Sequence, residues 1–440
     1  MKKKIVILFL ALLALGWLVS ISAILNDPKD YEAHIEKAEE LEKKEIYIDA
    51  ITEYQEALAY SGDNVELLRR MANDYLMLNE TSEYVSTLEK AIELEQDGSE
   101  EALDDLMQYY IDQNAVEKAV QYVYEYTQTS PDVEYVQKWF LELKGSYKEL
   151  YCRYDEMQGI YNDYMVVKSG DFYSITDASG SRLLDVEYTE LTPFFSNEYA
   201  RTVNSKGNVI YIDTDGRTRV VPDEKYDNLG VLNDSRIAAS LKGKYGYLDE
   251  NGEPVTDFQW EDITAFNDVG AAKLDGKWAI INEKGKEKTE YIYDDIITDE
   301  YGIACRQSRL FAQTDKKYQL ISNKGKEISS EKFDDAKVFT EDGYAAVCKK
   351  GKWGFVNVDG ELIIDYQYDD ALSFANGYAA VCIDGLWGYI DTDNNLIIDA
   401  DLLEATSFSS EGSAAVKVQV ESEDEEQTAE WHLIKLNIES

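Results

Sequence analysis

The sequence predicts a multi-domain α plus β chain: an N-terminal transmembrane helix, an α-solenoid of helix hairpins, and a C-terminal all-β tandem repeat array. The array is propeller-like, with a β-solenoid as the alternative. Three observations carry this reading. An uncharged run from Ile5 to Leu25 follows Lys2, Lys3 and Lys4. Small and apolar residues then recur at a spacing of one helix hairpin between residues 31 and 155. Beyond about residue 160 the apolar period drops to two, and Lys-Gly and Asp-Gly pairs punctuate the chain.

The N-terminal run (residues 1–25 with its lysines) is read first. At about 1.5 Å per residue it covers about 31 Å, close to the roughly 30 Å hydrocarbon core of a bilayer. The lysines favour the cytoplasmic side for the N-terminus. The segment therefore predicts a signal anchor, with the bulk of the chain extracytoplasmic and tethered to the cell membrane. The competing outcome is a cleaved signal peptide, since Ser20, Ser22 and Ala23 offer small residues for a peptidase, and the protein is then secreted. The first cysteine is Cys152, so no lipid attachment site follows the run.

Composition narrows the partners. With 43 Lys and Arg against 87 Asp and Glu, formal net charge is −44, and such a surface repels nucleic acid phosphates. The length of 440 residues exceeds what one core supports. Only His34 and His432 are present, which leaves imidazole-based zinc sites and nucleophile–base pairs poorly supplied. Cys152, Cys305, Cys348 and Cys382 are too few for a disulfide scaffold. Cys348 and Cys382 occupy matching repeat positions and are read as small buried residues rather than a bridge.

Residues 31–155 divide into units starting at Tyr31, Val65 and Glu100. The first places Ala38, Leu41, Ala50, Tyr54 and Ala57 at packing offsets; the second supplies Ala72, Tyr75, Tyr84, Leu88 and Ala91; the third supplies Met107, Tyr110, Ala119, Val123 and Tyr126. Small residues at these offsets let consecutive helices approach closely, and each hairpin needs a neighbour to bury its apolar face. The pattern resembles the tetratricopeptide repeat. That resemblance implies a concave groove lined by first helices, here Glu32, Ile35, Glu39, Glu66, Arg69, Asn73, Asp104 and Gln108. The expected peptide-binding residues are Arg69, Asn73 and Gln108. Arg69 and Asn73 lie four apart on one helix face and suit a peptide carboxylate. Residues 132–154, with Trp139 and Phe140, are expected to cap the stack.

Residues 160–440 hold six to eight β units. The clearest read GYAAVCKKGKWGFVNVDGELIIDYQYDDALSF from Gly343 and GYAAVCIDGLWGYIDTDNNLIIDADLLEATSF from Gly377. Each predicts three short strands separated by hairpin turns such as Lys350–Gly351 and Asp359–Gly360. An aromatic-acid-acid element follows, as in Tyr293–Asp295, Phe333–Asp335 and Tyr368–Asp370. These segments resemble the WG-containing repeat of bacterial extracytoplasmic proteins, through Trp353–Gly354 and Trp387–Gly388. Tandem units of this kind solve the problem of exposed sheet edges by closing radially or by stacking with capped ends.

No catalytic constellation emerges. The acid pairs invite a glycosidase reading, but an active site needs one pair, and these recur in nearly every unit. Asp213, Asp215, Asp391 and Asp393 sit in DxD turns without the glutamate of a calcium loop, and are read as hairpin turns. Trp278, Trp353 and Trp387 alternate in phase with core residues and are read as a core layer. No cofactor or metal is expected, and no enzymatic activity. The expectation is a membrane-tethered scaffold engaging protein or peptide partners through its repeat surfaces. A cell-wall glycan or carbohydrate module is the alternative, and a hydrolase with an unrecognised acid pair is the third reading.

Overall fold

The computed structural model describes residues 28–184, 186–195, 198–421 and 427–438. Contacts divide the chain into two compact units, Met1–Leu143 and Lys144–Ser440.

The first unit is helical: α1 (Pro28–Glu42), α2 (Tyr47–Ser61), α3 (Val65–Met77), α4 (Thr81–Glu93), α5 (Ser99–Asp112), α6 (Val116–Thr129) and α7 (Glu134–Leu143). Three antiparallel hairpins share one turn chemistry. Glu45, Asn79 and Asn114 each adopt a left-handed conformation after the first helix of a hairpin. The next amide then reaches back to close the helix, Ile46 to the Leu41 carbonyl, Glu80 to Tyr75 and Ala115 to Tyr110. This Schellman-type closure satisfies carbonyls that a helix end leaves open. The Asn64 side chain caps α3 by accepting the Leu67 N–H at 3.0 Å. The small residues expected at crossings, Ala38, Ala50, Ala57, Ala72, Ala91 and Ala119, are all fully buried.

The expected transmembrane helix has to be corrected. Among the described residues no helix is long and apolar enough to cross a membrane. The longest, α1 and α2, have 15 residues, about 22 Å of helix against roughly 30 Å of hydrocarbon. The single-pass location at the cell membrane falls with it. Ile5–Leu25 itself lies outside the described residues.

The second unit contains eight antiparallel sheets of three or four strands among the described residues. Seven follow in chain order: residues 156–177, 200–220, 228–249, 262–281, 295–333, 335–368 and 370–402. The eighth combines Glu404–Ala405, Ser413–Glu421 and Gln427–Leu436 with Tyr147–Leu150, which pairs antiparallel to the C-terminal strand from Tyr147 opposite Leu436 to Leu150 opposite Leu433. Residues 144–155, grouped with the helices in the sequence reading, thus lie in the β unit.

Packing closes the array. One apolar cluster joins each sheet to the next: Val166 and Ile175 to Phe194 and Ile212 between the first two, and so on through the second to eighth. A further cluster, Met157, Met165 and Val167 with Ala415 and Leu433, joins the eighth sheet to the first. Eight sheets with eight interfaces form a closed, propeller-like ring, and the open β-solenoid is excluded by that last interface. Closure also removes free end sheets.

The sequence repeat and the sheet are offset by one strand. The second acid of each pair opens the next sheet: Asp335–Ala336 pairs with Val347–Cys348, and Asp370–Ala371 with Val381–Cys382. The Trp-Gly pair has a geometric basis. A Cβ on Gly354 would stand 2.5 Å from the Ile364 carbonyl, and one on Gly388 would stand 2.6 Å from that of Ile398. The outer strand crosses the glycine at a bulge, between Trp353–Tyr368 and Phe355–Ile364. Trp278 and Trp353 are buried in sheet interfaces, while Trp387 is only partly buried.

Candidate functional site

The repeated acids are used by the turns. Asp369 accepts hydrogen bonds from the Lys352 ammonium and from the Asp384 N–H in the hairpin of the following sheet. Asp334 does the same with Lys317 and the Lys350 N–H, and Asp294 with Lys277 and the Asp315 N–H. The lysine bonds hold the carboxyls of Asp294 and Asp369 below their ordinary value. The second acid turns back on its own backbone, as Asp335 does to the Ala336 N–H and Asp370 to Ala371. The DxD turns are closed locally as well. Asp213 Oδ1 accepts from the Asp215 and Arg217 N–H groups, and Asp391 Oδ1 from Asp393 and Asn395. Asn282 and Ser322 fill the same role in other sheets, which explains why the acid is replaceable there. All four cysteines are free thiols; Cys305, Cys348 and Cys382 are buried.

The helical residues singled out from sequence are partly engaged within the unit. Arg69 on α3 forms an ion pair with Asp105 on α5 at 2.8 Å. Its neighbour Arg70 pairs with Glu39 at 2.6 Å and Glu66 at 2.9 Å. Gln108 donates to Asp112 at 2.7 Å, and Asn73 is exposed. Arg69 and Gln108 therefore stand on helices that the Arg69–Asp105 pair ties together, but the guanidinium already has a carboxylate.

A cavity in the β unit has no signature in the sequence. The loops that follow the short first strands of the fifth to eighth sheets, together with residues 159–163 of the first, surround a cavity of about 810 Å³. Beside it Phe195, Val231, Ala265 and Ile303, from four successive sheets, meet in one cluster with Tyr161 and Tyr301. Side chains of five sheets touch only where the inner ends of the ring converge, which places the cavity at its centre. Tyr161, Phe195 and Tyr301 form an aromatic trio with centroids 4.8–5.6 Å apart. The Arg306 guanidinium stacks on Tyr161, 4.9 Å from the ring centre, and pairs with Asp299 at 3.0 Å.

Acids also clasp sheet to sheet around this opening. Asp342 accepts the Asn376 and Gly377 N–H groups at 3.1 and 2.7 Å. Asp163 accepts the Ser410 N–H and hydroxyl at 2.9 and 2.7 Å, linking the first sheet to the eighth. The signal available in the sequence was an acid in the loop before a GYAAV-type strand, as Asp342 stands before Gly343.

One family model matches part of the β unit. The repeat family described as "WG containing repeat" matches residues 245–278, 320–353, 353–387 and 387–419. No curated protein matches the chain. Among solved structures, a eukaryotic initiation factor is 13% identical with a TM-score of 0.42, covering 67% of this chain and 87% of its own. Sqt1 of Saccharomyces cerevisiae is 10% identical with a TM-score of 0.37, covering 67% and 98%. Chaetomium thermophilum Sqt1, solved bound to the N-terminus of the ribosomal protein L10, is 11% identical with a TM-score of 0.35, covering 63% and 95%. The segments that match the WG containing repeat, between residues 245 and 419, fold as sheets of the closed ring.

Proposed function

We propose that the protein is a non-enzymatic binding scaffold for protein or peptide partners, and that the central cavity of the ring is where a partner segment docks. The observation that carries this is the cavity itself: about 810 Å³, lined by five sheets, mixing apolar walls with polar groups. A large concave site with a few convergent polar groups is the usual form of a binding site. Loops held by a rigid scaffold are also where recognition concentrates. A peptide lying there meets several repeats at once. The paired carboxylates support a non-catalytic reading, because their oxygens are engaged by turn amides and lysines in sheet after sheet. The tetratricopeptide-like hairpins offer a second surface, where Arg69, Asn73 and Gln108 would contribute.

Panning the full chain against a random peptide display library tests this. Enriched peptides should lose binding when the cavity is filled by Ser407→Trp and retain it in the Arg69→Ala/Asn73→Ala double variant. The opposite pattern moves the site to the helices. Failure to enrich any peptide removes the proposal.

A further inference from the structure

We infer that the central cavity selects a basic residue: a lysine or arginine side chain of the docked peptide enters it and pairs with Glu300 and Glu341. This rests on the reading that the ring binds peptides, and adds the chemistry it recognises.

The argument is one of unmatched charge. Five carboxylates line the cavity, those of Asp163, Asp299, Glu300, Glu341 and Asp342, against two cations, Arg306 and Lys337. Asp163 and Asp342 are committed to the clasps between sheets. Asp299 is paired with Arg306, and its other oxygen accepts the Tyr301 and Ile303 N–H groups. Lys337 lies over the Trp353 ring, 5.1 Å from its centre. Glu300 and Glu341 remain without a cation among the described residues. Glu341 receives only the neutral amide of Gln307, at 2.9 Å.

The surroundings of Glu300 point to a missing cation. Glu300 is exposed overall, yet the cavity wall desolvates its carboxyl, and with the neighbouring Asp299 raises its pKa above the ordinary value. A cation placed there would reverse that penalty. The Tyr301 hydroxyl, also lining the cavity, faces the Glu300 carboxyl without closing a short hydrogen bond, so that carboxyl has a neutral neighbour and no cation among the described residues. An acidic segment is disfavoured: Arg306 is already neutralised by Asp299, and Glu300 stands next in the chain. Low-dielectric walls and an excess of negative charge draw the opposite ion in.

The probes are the peptides enriched from the display library on the full chain. The pool should over-represent Lys and Arg. In fluorescence anisotropy, Glu300→Gln/Glu341→Gln should weaken binding about tenfold, since each carboxylate at a solvated rim contributes only a few-fold. Replacing the peptide's basic residue by Gln should cost a similar factor in the unaltered protein and little in the double variant, as coupled partners require. Raising salt should weaken the unaltered pair. Both glutamates are surface-exposed, so the variant should fold; unchanged thermal unfolding checks this. Peptides that are lost on Ser407→Trp but show no basic excess and no response to the glutamate variant overturn this inference and leave peptide binding standing. No enrichment overturns both.

Discussion

Tyr147 stands opposite Leu436, so the first strand after the helices is paired to the last strand of the chain. The ring is thereby held shut by a ladder between distant residues, backed by an apolar cluster in which Leu433 is fully buried beside Met157 and Met165. Leu433→Ala should destabilise the β unit by about 2–5 kcal/mol, the range for a buried leucine whose site cannot fully collapse. Denaturant unfolding followed by tryptophan fluorescence reads this. A loss below about 1 kcal/mol would mean the closing interface contributes little.

Two glycines three residues apart in one β hairpin test the basis of the Trp-Gly pair. Gly351 occupies a turn at φ +77° with open space where a Cβ would project, whereas a Cβ on Gly354 would collide with backbone. Gly351→Ala should cost about 1 kcal/mol, the left-handed penalty alone. Gly354→Ala should cost about 3 kcal/mol or more, because the outer strand must move. Equal costs, measured by thermal unfolding, would refute the close-crossing explanation.

Asp74 on α3 is buried with Oδ2 lacking a hydrogen-bond partner among the described residues. Burial, and then the Glu42 carboxylate, push its carboxyl up to about 7. The neutral form is the one that suits the folded state. Stability from this residue is therefore full below the unfolded value near 4 and declines as pH rises toward about 7, by roughly 2–4 kcal/mol. Asp74→Asn should flatten that dependence and stabilise the helices by about 2 kcal/mol at about pH 8, with little change near pH 4. A variant that is less stable at both pH values would contradict the assignment.

The opposite sign is expected at Asp391. Burial opposes its ionisation, but hydrogen bonds from Lys144 and Asn395 keep its carboxyl below the ordinary value. Its contribution is present above the unfolded pKa and is lost as pH falls below about 4. Lys144→Met leaves a carboxylate without its ammonium partner and should cost about 3–5 kcal/mol at neutral pH. It should also shrink the loss seen on acidification. Equal acid sensitivity in both proteins would show the pair is not the source.

Much of this architecture was legible because its signals are local. Ala38, Ala72 and Ala119 mark helix crossings whatever the surrounding fold, and Lys350–Gly351 specifies a two-residue hairpin wherever it stands. Trp353–Gly354 identifies a bulged second strand for the same reason. Ring closure was illegible, since Tyr147–Leu150 carries a mostly exposed strand with no repeat signature and no neighbouring partner. The cavity was illegible too: its walls come from loops between Gly159 and Ser410, and no window of sequence contains them together. Arg69 illustrates a readable signal that was passed over. Its carboxylate partner, Asp105, lies 36 residues on, about one repeat away, where a stacked hairpin presents its first helix.

The strand that shuts the ring also orders events during synthesis. Glu149 meets His432 across 283 residues of chain, so the ribosome delivers one half of that ladder long before the other exists. The helix hairpins, built from neighbouring segments, are free to fold as they emerge, while the sheets accumulate with an open end until the last residues arrive. Translation that stops short of Ser413 leaves that seam unsealed, exposing the apolar surface around Met157 and Met165 to aggregation or to quality-control recognition.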